Sequence, residues 1–212
     1  MKIALFPLQT VLFPQGQLPL QIFELRYLNM VRRCERERTP FAVVSLLEGR
    51  EVQQPDAQNA SGFASERFHH LGTLAHIEHA TQPQPGLMRV VCRGGQRVHV
   101  RHSEKGPMGL WLADVDVLDD DRPVALPSEL LYISDTLYQV HTQLQQDHPQ
   151  WQDSGAPQDP NAPQWQDAGW VANRWAEMLP LDLDTRVRLL TLDSPLLRLE
   201  LIGDELDKLG LR

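Results

Sequence analysis

The chain has 212 residues, 42% of them hydrophobic, which is enough for a sizeable core and argues against disorder of the whole chain. Its formal net charge of −8 opposes attraction to a polyphosphate backbone, so a nucleic-acid partner would require a local basic patch. No run of about 18 apolar residues occurs, so no transmembrane helix is expected.

The N-terminus and the two cysteines indicate the compartment. Only four apolar residues separate Lys2 from Pro7, which is too few for the hydrophobic segment of a signal peptide. Cys34 and Cys92 have neither metal-ligand spacing nor the spacing of a disulfide framework. We therefore expect both to be buried, reduced thiols in a cytoplasmic protein.

Three short apolar segments, each containing proline, open the chain at residues 5–8, 11–14 and 18–20. Proline fixes the φ angle and cannot donate a backbone hydrogen bond, so it is confined to edge strands, bulges and turns. The segments therefore predict edge strands and turns rather than one long strand.

Helical periodicity begins at residue 22, and apolar side chains then recur every three or four positions up to Cys34. The spacing predicts a first helix in which Phe23, Tyr27 and Val31 lie on one face and pack under the sheet. Glu24 and Arg26 fall outside this stripe. We expect these two side chains to point away from the core, where they can pair or meet a partner.

A set of strands is predicted after this helix. Residues 41–47 form a continuous apolar run that predicts a buried strand, and the polar stretch at 53–66 predicts a surface loop. Gly94-Gly95 predicts a hairpin, because both positions can adopt a positive φ. Further strand-like runs lie at 71–79, 86–93, 96–102 and 110–118. Together these elements predict a strongly bent sheet or partial barrel.

From residue 127 the apolar period becomes that of helices. The pattern predicts one helix that ends before Pro149, followed by three more at 167–178, 184–192 and 194–210. We therefore expect a β-rich part at 1–122 and a helical subdomain at 127–212.

A near-duplication lies between the first two of these helices. P-Q-W-Q-D-S-G at 149–155 recurs as P-Q-W-Q-D-A-G at 163–169. Two copies are too few for a repeat architecture, and the segment contains almost no aliphatic residues with which to form a core. It predicts a flexible linker at about 149–164, with docking of Trp151 and Trp165 on a partner as the alternative.

In order and spacing, the pieces L-F-P-L, V-L-F-P-x-G, L-P-L and I-F-E-x-R-Y resemble the opening of the N-terminal, substrate-recognition domain of Lon ATP-dependent proteases. The resemblance continues at 40–44, 71–77, 94–98 and 179–181, and it is to stand-alone bacterial proteins without the ATPase and protease domains. It implies an α+β fold, a PUA-like β pseudo-barrel with one helix followed by a C-terminal α-helical subdomain. The motif residues, expected to be structural, are Phe6, Pro7, Leu8, Phe13, Pro14, Phe23, Glu24, Arg26, Tyr27, Gly72, Gly94 and Arg97.

The resemblance implies a polypeptide-recognition protein that binds unfolded or degron-bearing segments, or an adaptor beside a separate ATPase or protease. An extended segment would enter a cleft between barrel and helices, along a strand edge or in an apolar groove. No catalytic residue or cofactor is expected, because the sequence contains no G-x-x-x-x-G-K-[ST] loop. Ser103 and Lys105 lie in a predicted solvated turn, where lysine is a poor base. A cryptic hydrolase remains the enzymatic alternative.

Four arginines, Arg89, Arg93, Arg97 and Arg101, form the best local basic patch, and Arg89, Arg93 and Arg101 are candidate surface-binding residues. Because barrels related to PUA bind RNA, an RNA-binding barrel is a further alternative. No aromatic residue lies between 69 and 110 to stack bases, so nucleic acid is not the expected partner. The histidine pairs are adjacent or three apart, which places their side chains on opposite faces of a strand, and no metal site is expected.

Overall fold

The computed structural model describes residues 1–52, 65–147 and 156–211. Contacts divide the chain into two compact units, Met1–Asp120 and Asp121–Arg212. The expected loop at 53–66 lies almost wholly outside the described residues. Within the described part of the chain, no helix is both long and apolar enough to cross a bilayer.

The described residues of the N-terminal unit form a six-stranded mixed sheet and one α-helix. The strands follow the order β2-β5-β4-β3-β1-β6, and a further pairing of β5 with β6 closes the sheet into a barrel. The elements are β1 (Lys2–Leu8), β2 (Gln17–Ile22), α1 (Leu25–Glu37), β3 (Phe41–Glu48), β4 (Arg67–Gln84), β5 (Leu87–Lys105) and β6 (Trp111–Val117). The expected α+β fold is confirmed.

The hairpin predicted at Gly94-Gly95 is wrong, because both glycines lie inside the single long strand β5. The chain instead reverses between β4 and β5 near Gly86, whose φ is 81°. Gly94 is required by a close backbone approach, since a Cβ there would lie 2.1 Å from the carbonyl oxygen of Phe13. A tertiary contact, and not a turn, thus accounts for the absence of a side chain at position 94.

The prediction of edge strands is right for residues 18–20 and wrong for residues 5–8. Strand β1 lies between β3, to which it is parallel, and β6, to which it is antiparallel. Its pairing with β6 stops at Ala4, so Pro7 lies where only β3 is a neighbour, opposite Val44. A proline is tolerated in this inner strand because one side of the strand is locally unpaired.

Two groups of buried apolar residues form the core of this unit. In one group, Tyr27, Met30 and Val31 of α1 pack against the sheet. The other group contains only strand residues, including Leu5 and Val44. Because side chains alternate along a strand, one face of β1 packs in the first group and the opposite face packs in the second. Helix α1 begins at Leu25, three residues later than predicted, because Ile22 ends β2.

The C-terminal unit is helical: a 3₁₀ turn at Ser128–Leu130 leads into α2 (Leu131–Asp147), followed by α3 (Ala168–Met178), α4 (Leu183–Thr191) and α5 (Pro195–Lys208). Side-chain oxygens of Asp167, Asp182 and Ser194 cap the last three helices. Inside the unit, Arg198 is fully buried and donates to Asp121 at 2.7 Å and to Asn173 at 2.9 Å. This network satisfies the buried charge.

The flexible linker at about 149–164 stays a prediction, and the first copy of the duplicated segment, with Trp151, lies outside the described residues. Trp165 is only 4% exposed and meets the rings of Tyr138 and Trp170 at 5.2 and 4.9 Å. Its indole N–H donates to the carbonyl of Asp159. Trp165 is therefore a core residue of its own unit, because the second copy runs directly into the N-terminus of α3.

Candidate functional site

A groove of about 340 Å³ opens on the N-terminal unit, where β2 ends and α1 begins. Its wall is largely apolar, and two carboxylates, Glu24 and Glu51, also line it. The apolar side chains come from β1, β2, α1 and the link between β2 and α1: Phe6, Leu8, Leu18, Leu20, Phe23 and Tyr27. A concave apolar surface with a few polar groups is the usual form of a binding site.

Phe23 lies in this groove and is 56% exposed, which contradicts the prediction that it packs under the sheet. The residue precedes Glu24, the N-cap of α1, so helical spacing does not determine its direction. Among the aromatic side chains that the structure describes, Phe23 alone is exposed. An aromatic left in water beside an apolar groove is typical of an interaction surface.

Tyr27 and Phe6 form the floor of the groove. Their rings stack with centroids 4.0 Å apart and planes inclined by 22°. Burial raises the pKa of the Tyr27 hydroxyl well above its usual value, so the group stays neutral. The predicted inward position of Tyr27 is what the structure shows, and the floor of the groove is a buried pair of stacked aromatic rings.

Arg26 is buried, contrary to the prediction that it points away from the core. Its Nη1 donates to the carbonyl of Gly109 at 3.0 Å, and its Nη2 donates to Glu66 at 3.3 Å. Its Nε lies 3.4 Å from Glu24, and the guanidinium carbon lies 4.5 Å above the ring of Tyr27. Arg26 therefore holds Glu24 at the groove and ties the start of α1 to the barrel.

The remaining motif residues lie away from the groove, apart from Leu8 in its wall. Pro7 and Phe13 are buried, Pro14 is partly buried, and Arg97 is 6% exposed. A Cβ at Gly72 would lie 2.3 Å from the carbonyl oxygen of Val43, so β3 and β4 approach too closely there for a side chain. These positions support the barrel on which the groove is built.

Two of the four arginines of the predicted basic patch pair with acidic side chains. Arg93 pairs with Glu78 at 2.8 Å, and Arg101 pairs with Asp116 at 3.0 Å. Burial alone would raise the pKa of Glu78, but hydrogen bonds from Arg93 and Gln17 hold it below its usual value. With Arg97 buried, only Arg89 lies exposed beside β2. These ion pairs offset part of the positive charge that a phosphate backbone would require.

Ser103 and Lys105 lie on strand β5 rather than in the predicted turn. The Nζ atom of Lys105 is 3.9 Å from Glu66 and 5.1 Å from the centre of the Trp111 ring. Its ammonium group thus lies between a carboxylate and an aromatic face, both of which attract a cation. Among the described residues, no group of three or more metal-ligating side chains comes together.

The sequence identified only part of the groove. Leu18 and Leu20 belonged to a recognised apolar segment, and their alternation places both on one face of β2. Glu51 and Gln21 carried no signal, because their place in the groove depends on the path of a distant segment and on the edge of the sheet.

The family model described as the ATP-dependent protease La (LON) substrate-binding domain matches residues 2–208. The chain is similar to the Lon N-terminal domain protein from Xanthomonas campestris, with a TM-score of 0.72 and 27% identity over 96% of this chain and 98% of that one. Its fold is also similar to the N-terminal domain of Mycobacterium avium complex Lon protease, with a TM-score of 0.62 and 14% identity over 97% of each chain. No curated protein sequence matches significantly.

Proposed function

The chain belongs to the family of the ATP-dependent protease La (LON) substrate-binding domain, and from that premise we propose that it binds extended, unfolded polypeptide segments in the groove between β2 and α1. Recognition of polypeptide is the general role that the family supports. The location of the site and the unfolded state of the ligand are the new parts of the proposal.

The exposed ring of Phe23 is the observation that carries this proposal. It stands 56% exposed at an apolar groove whose floor, Phe6 and Tyr27, is buried and stacked. Folded proteins hide their apolar side chains, so an exposed aromatic selects ligands that have lost their own core. Covering such a ring contributes about 1.5–3 kcal/mol, which is enough to distinguish unfolded from folded chains.

The enzymatic alternative would depend on Ser103 and Lys105. The ammonium group of Lys105 instead contacts Glu66 and the ring of Trp111, which favours a structural role for this lysine. The pairing of Arg93 and Arg101 with acidic residues likewise favours polypeptide over RNA. We therefore propose a non-catalytic protein of the cytoplasm, acting alone or as an adaptor that delivers its ligand to a separate ATPase or protease.

The proposal is tested by binding of a permanently unfolded, fluorescently labelled model protein, followed by anisotropy. Phe23→Ala is expected to weaken binding at least about tenfold, equivalent to about 1.4 kcal/mol, and to leave the urea midpoint nearly unchanged. The matched control is Leu197→Ala, which removes a side chain of similar exposure, 44%, from helix α5.

Equal binding by wild type and Phe23→Ala would refute the site. Equal loss of binding in both variants would show that general hydrophobicity, and not the groove, holds the ligand. Tighter binding of labelled RNA, a polyanion, than of the unfolded protein would favour the alternative function.

A further inference from the structure

Strand β2 has an open edge beside the groove. Within the described residues β2 pairs only with β5 and is the terminal strand in the order of the sheet. An open strand edge presents unpaired backbone groups and can accept one more strand. The backbone groups that face outward therefore determine what this edge can bind.

One hydrogen bond fixes which residues face outward. The carbonyl of Gly16 accepts from the N–H of Gly94 at 2.8 Å and so points toward β5. In a strand, the N–H and C=O of one residue point to the same side, and those of the next residue point to the other side. The backbone groups of Leu18 and Leu20, like the carbonyl of Gly16, therefore point toward β5. Pro19 and Gln21 then face the open edge. The position of Pro19 agrees, since facing β5 it would remove a ladder hydrogen bond.

Two depressions adjoin β2 and share its residues Pro19, Leu20 and Gln21. The groove that contains Phe23 is also lined by Leu18. The second depression, of about 410 Å³, extends over the outer face of the sheet, where Arg89 and Val91 line it. A strand added along the edge would send alternate side chains to the two faces, because side chains alternate with a period of two.

The two faces differ in charge. Glu24 and Glu51 line the groove, whereas Arg89 lies on the outer face, opposite Gln21 in the strand register. An acidic side chain would be repelled from the groove and tolerated on the outer face. The ligand should therefore have apolar or basic residues at every second position.

We propose that the ligand binds by strand addition: an extended segment with apolar residues at alternating positions, and no acidic residue among these, pairs its backbone with Gln21 and with the carbonyl of Pro19. The inference rests on the proposed function and adds the conformation and the sequence pattern of the ligand. It requires that the backbone of the ligand contributes to binding along with its side chains.

Variants of β2 test the role of its backbone. Gln21→Pro removes one outward N–H and is expected to bind the unfolded probe at least about fivefold more weakly than Gln21→Ala, which loses the same side-chain amide but keeps that N–H. The natural Pro19 shows that β2 accommodates proline at an outward position. Pro19→Ala restores a donor to the edge and is expected to tighten binding about threefold. A urea midpoint close to wild type shows that each variant is folded.

Peptides test the pattern and separate this inference from the proposed function. A nine-residue peptide with alternating Leu and Ser should bind, and N-methylation of successive backbone nitrogens should weaken binding at every second position only. An isomer with helical spacing of the same residues should bind at least about tenfold more weakly. Glu at one groove-facing position should weaken binding, and Lys should not.

The other outcomes of these experiments distinguish failure of strand addition from failure of the proposed function. Binding that tolerates all N-methyl groups, with Gln21→Pro equal to Gln21→Ala, would refute strand addition and leave the proposed function intact. No binding of either peptide or of the unfolded protein would refute the proposed function itself. A dimer that forms through β2 and is abolished by Gln21→Pro would show that a second copy of the chain occupies the edge.

Discussion

Replacing Arg26 by alanine is expected to lower the free energy of unfolding by about 3 kcal/mol. The guanidinium is 3% exposed and contacts Glu66 at 3.3 Å, Glu24 at 3.4 Å and the carbonyl of Gly109 at 3.0 Å. Its removal leaves the carboxylate of Glu66, 5% exposed, without its buried cationic partner. Loss of one member of a buried ion pair costs about 3–5 kcal/mol, because the other charge stays desolvated.

The lower end of that range applies because Glu66 keeps other partners. The indole N–H of Trp111 donates to it at 2.6 Å, and Lys105 lies 3.9 Å away. Glu66→Gln on the Arg26→Ala background removes the unpaired charge. The double variant should therefore be more stable than the sum of the two single losses by at least about 1 kcal/mol.

The assay is urea denaturation at pH 7, followed by far-UV circular dichroism and by tryptophan fluorescence. Arg101→Ala is the matched control, because the Arg101 side chain is 59% exposed and forms a surface ion pair with Asp116. This variant should lower the free energy of unfolding by at most about 1 kcal/mol. A loss below about 1 kcal/mol for Arg26→Ala, or strict additivity with Glu66→Gln, would refute the assignment of Arg26 as the residue that ties α1 to the barrel.

Three further predictions follow from burial. Trp165→Ala should lower the free energy of unfolding by about 3–5 kcal/mol, because the indole is 4% exposed. An unchanged melting temperature would contradict the packing of this side chain. Gly94→Ala should cost more than about 2 kcal/mol, because the new Cβ would lie 2.1 Å from the Phe13 carbonyl oxygen, and a urea midpoint equal to wild type would contradict this. Burial raises the pKa of Cys34, and that of Cys92 to about 12, so neither forms much thiolate at pH 8. A disulfide reagent should label them rapidly only in urea, and rapid labelling without urea would contradict their burial.

The predictions that the structure confirmed rest on signals within a few residues. The apolar run at 41–47 became β3, because a strand buried on both faces needs no polar alternation. The later helices begin beside Asp167, Asp182 and Ser194, whose side chains cap the backbone three residues on. Capping and periodicity act over one or two turns, so the sequence alone determines them.

The sequence by itself thus determined most of the elements, the α+β class and the resemblance to a polypeptide-recognition domain, whereas tertiary structure decided the groove. Phe23 is exposed because β2 ends one residue before it, and Arg26 is buried because Glu66, 40 residues away, meets it. Gly94 belongs to a strand because the backbone of Phe13 crosses there. Each of these outcomes depends on contacts between segments that are distant in sequence, and the local residue pattern does not determine such contacts.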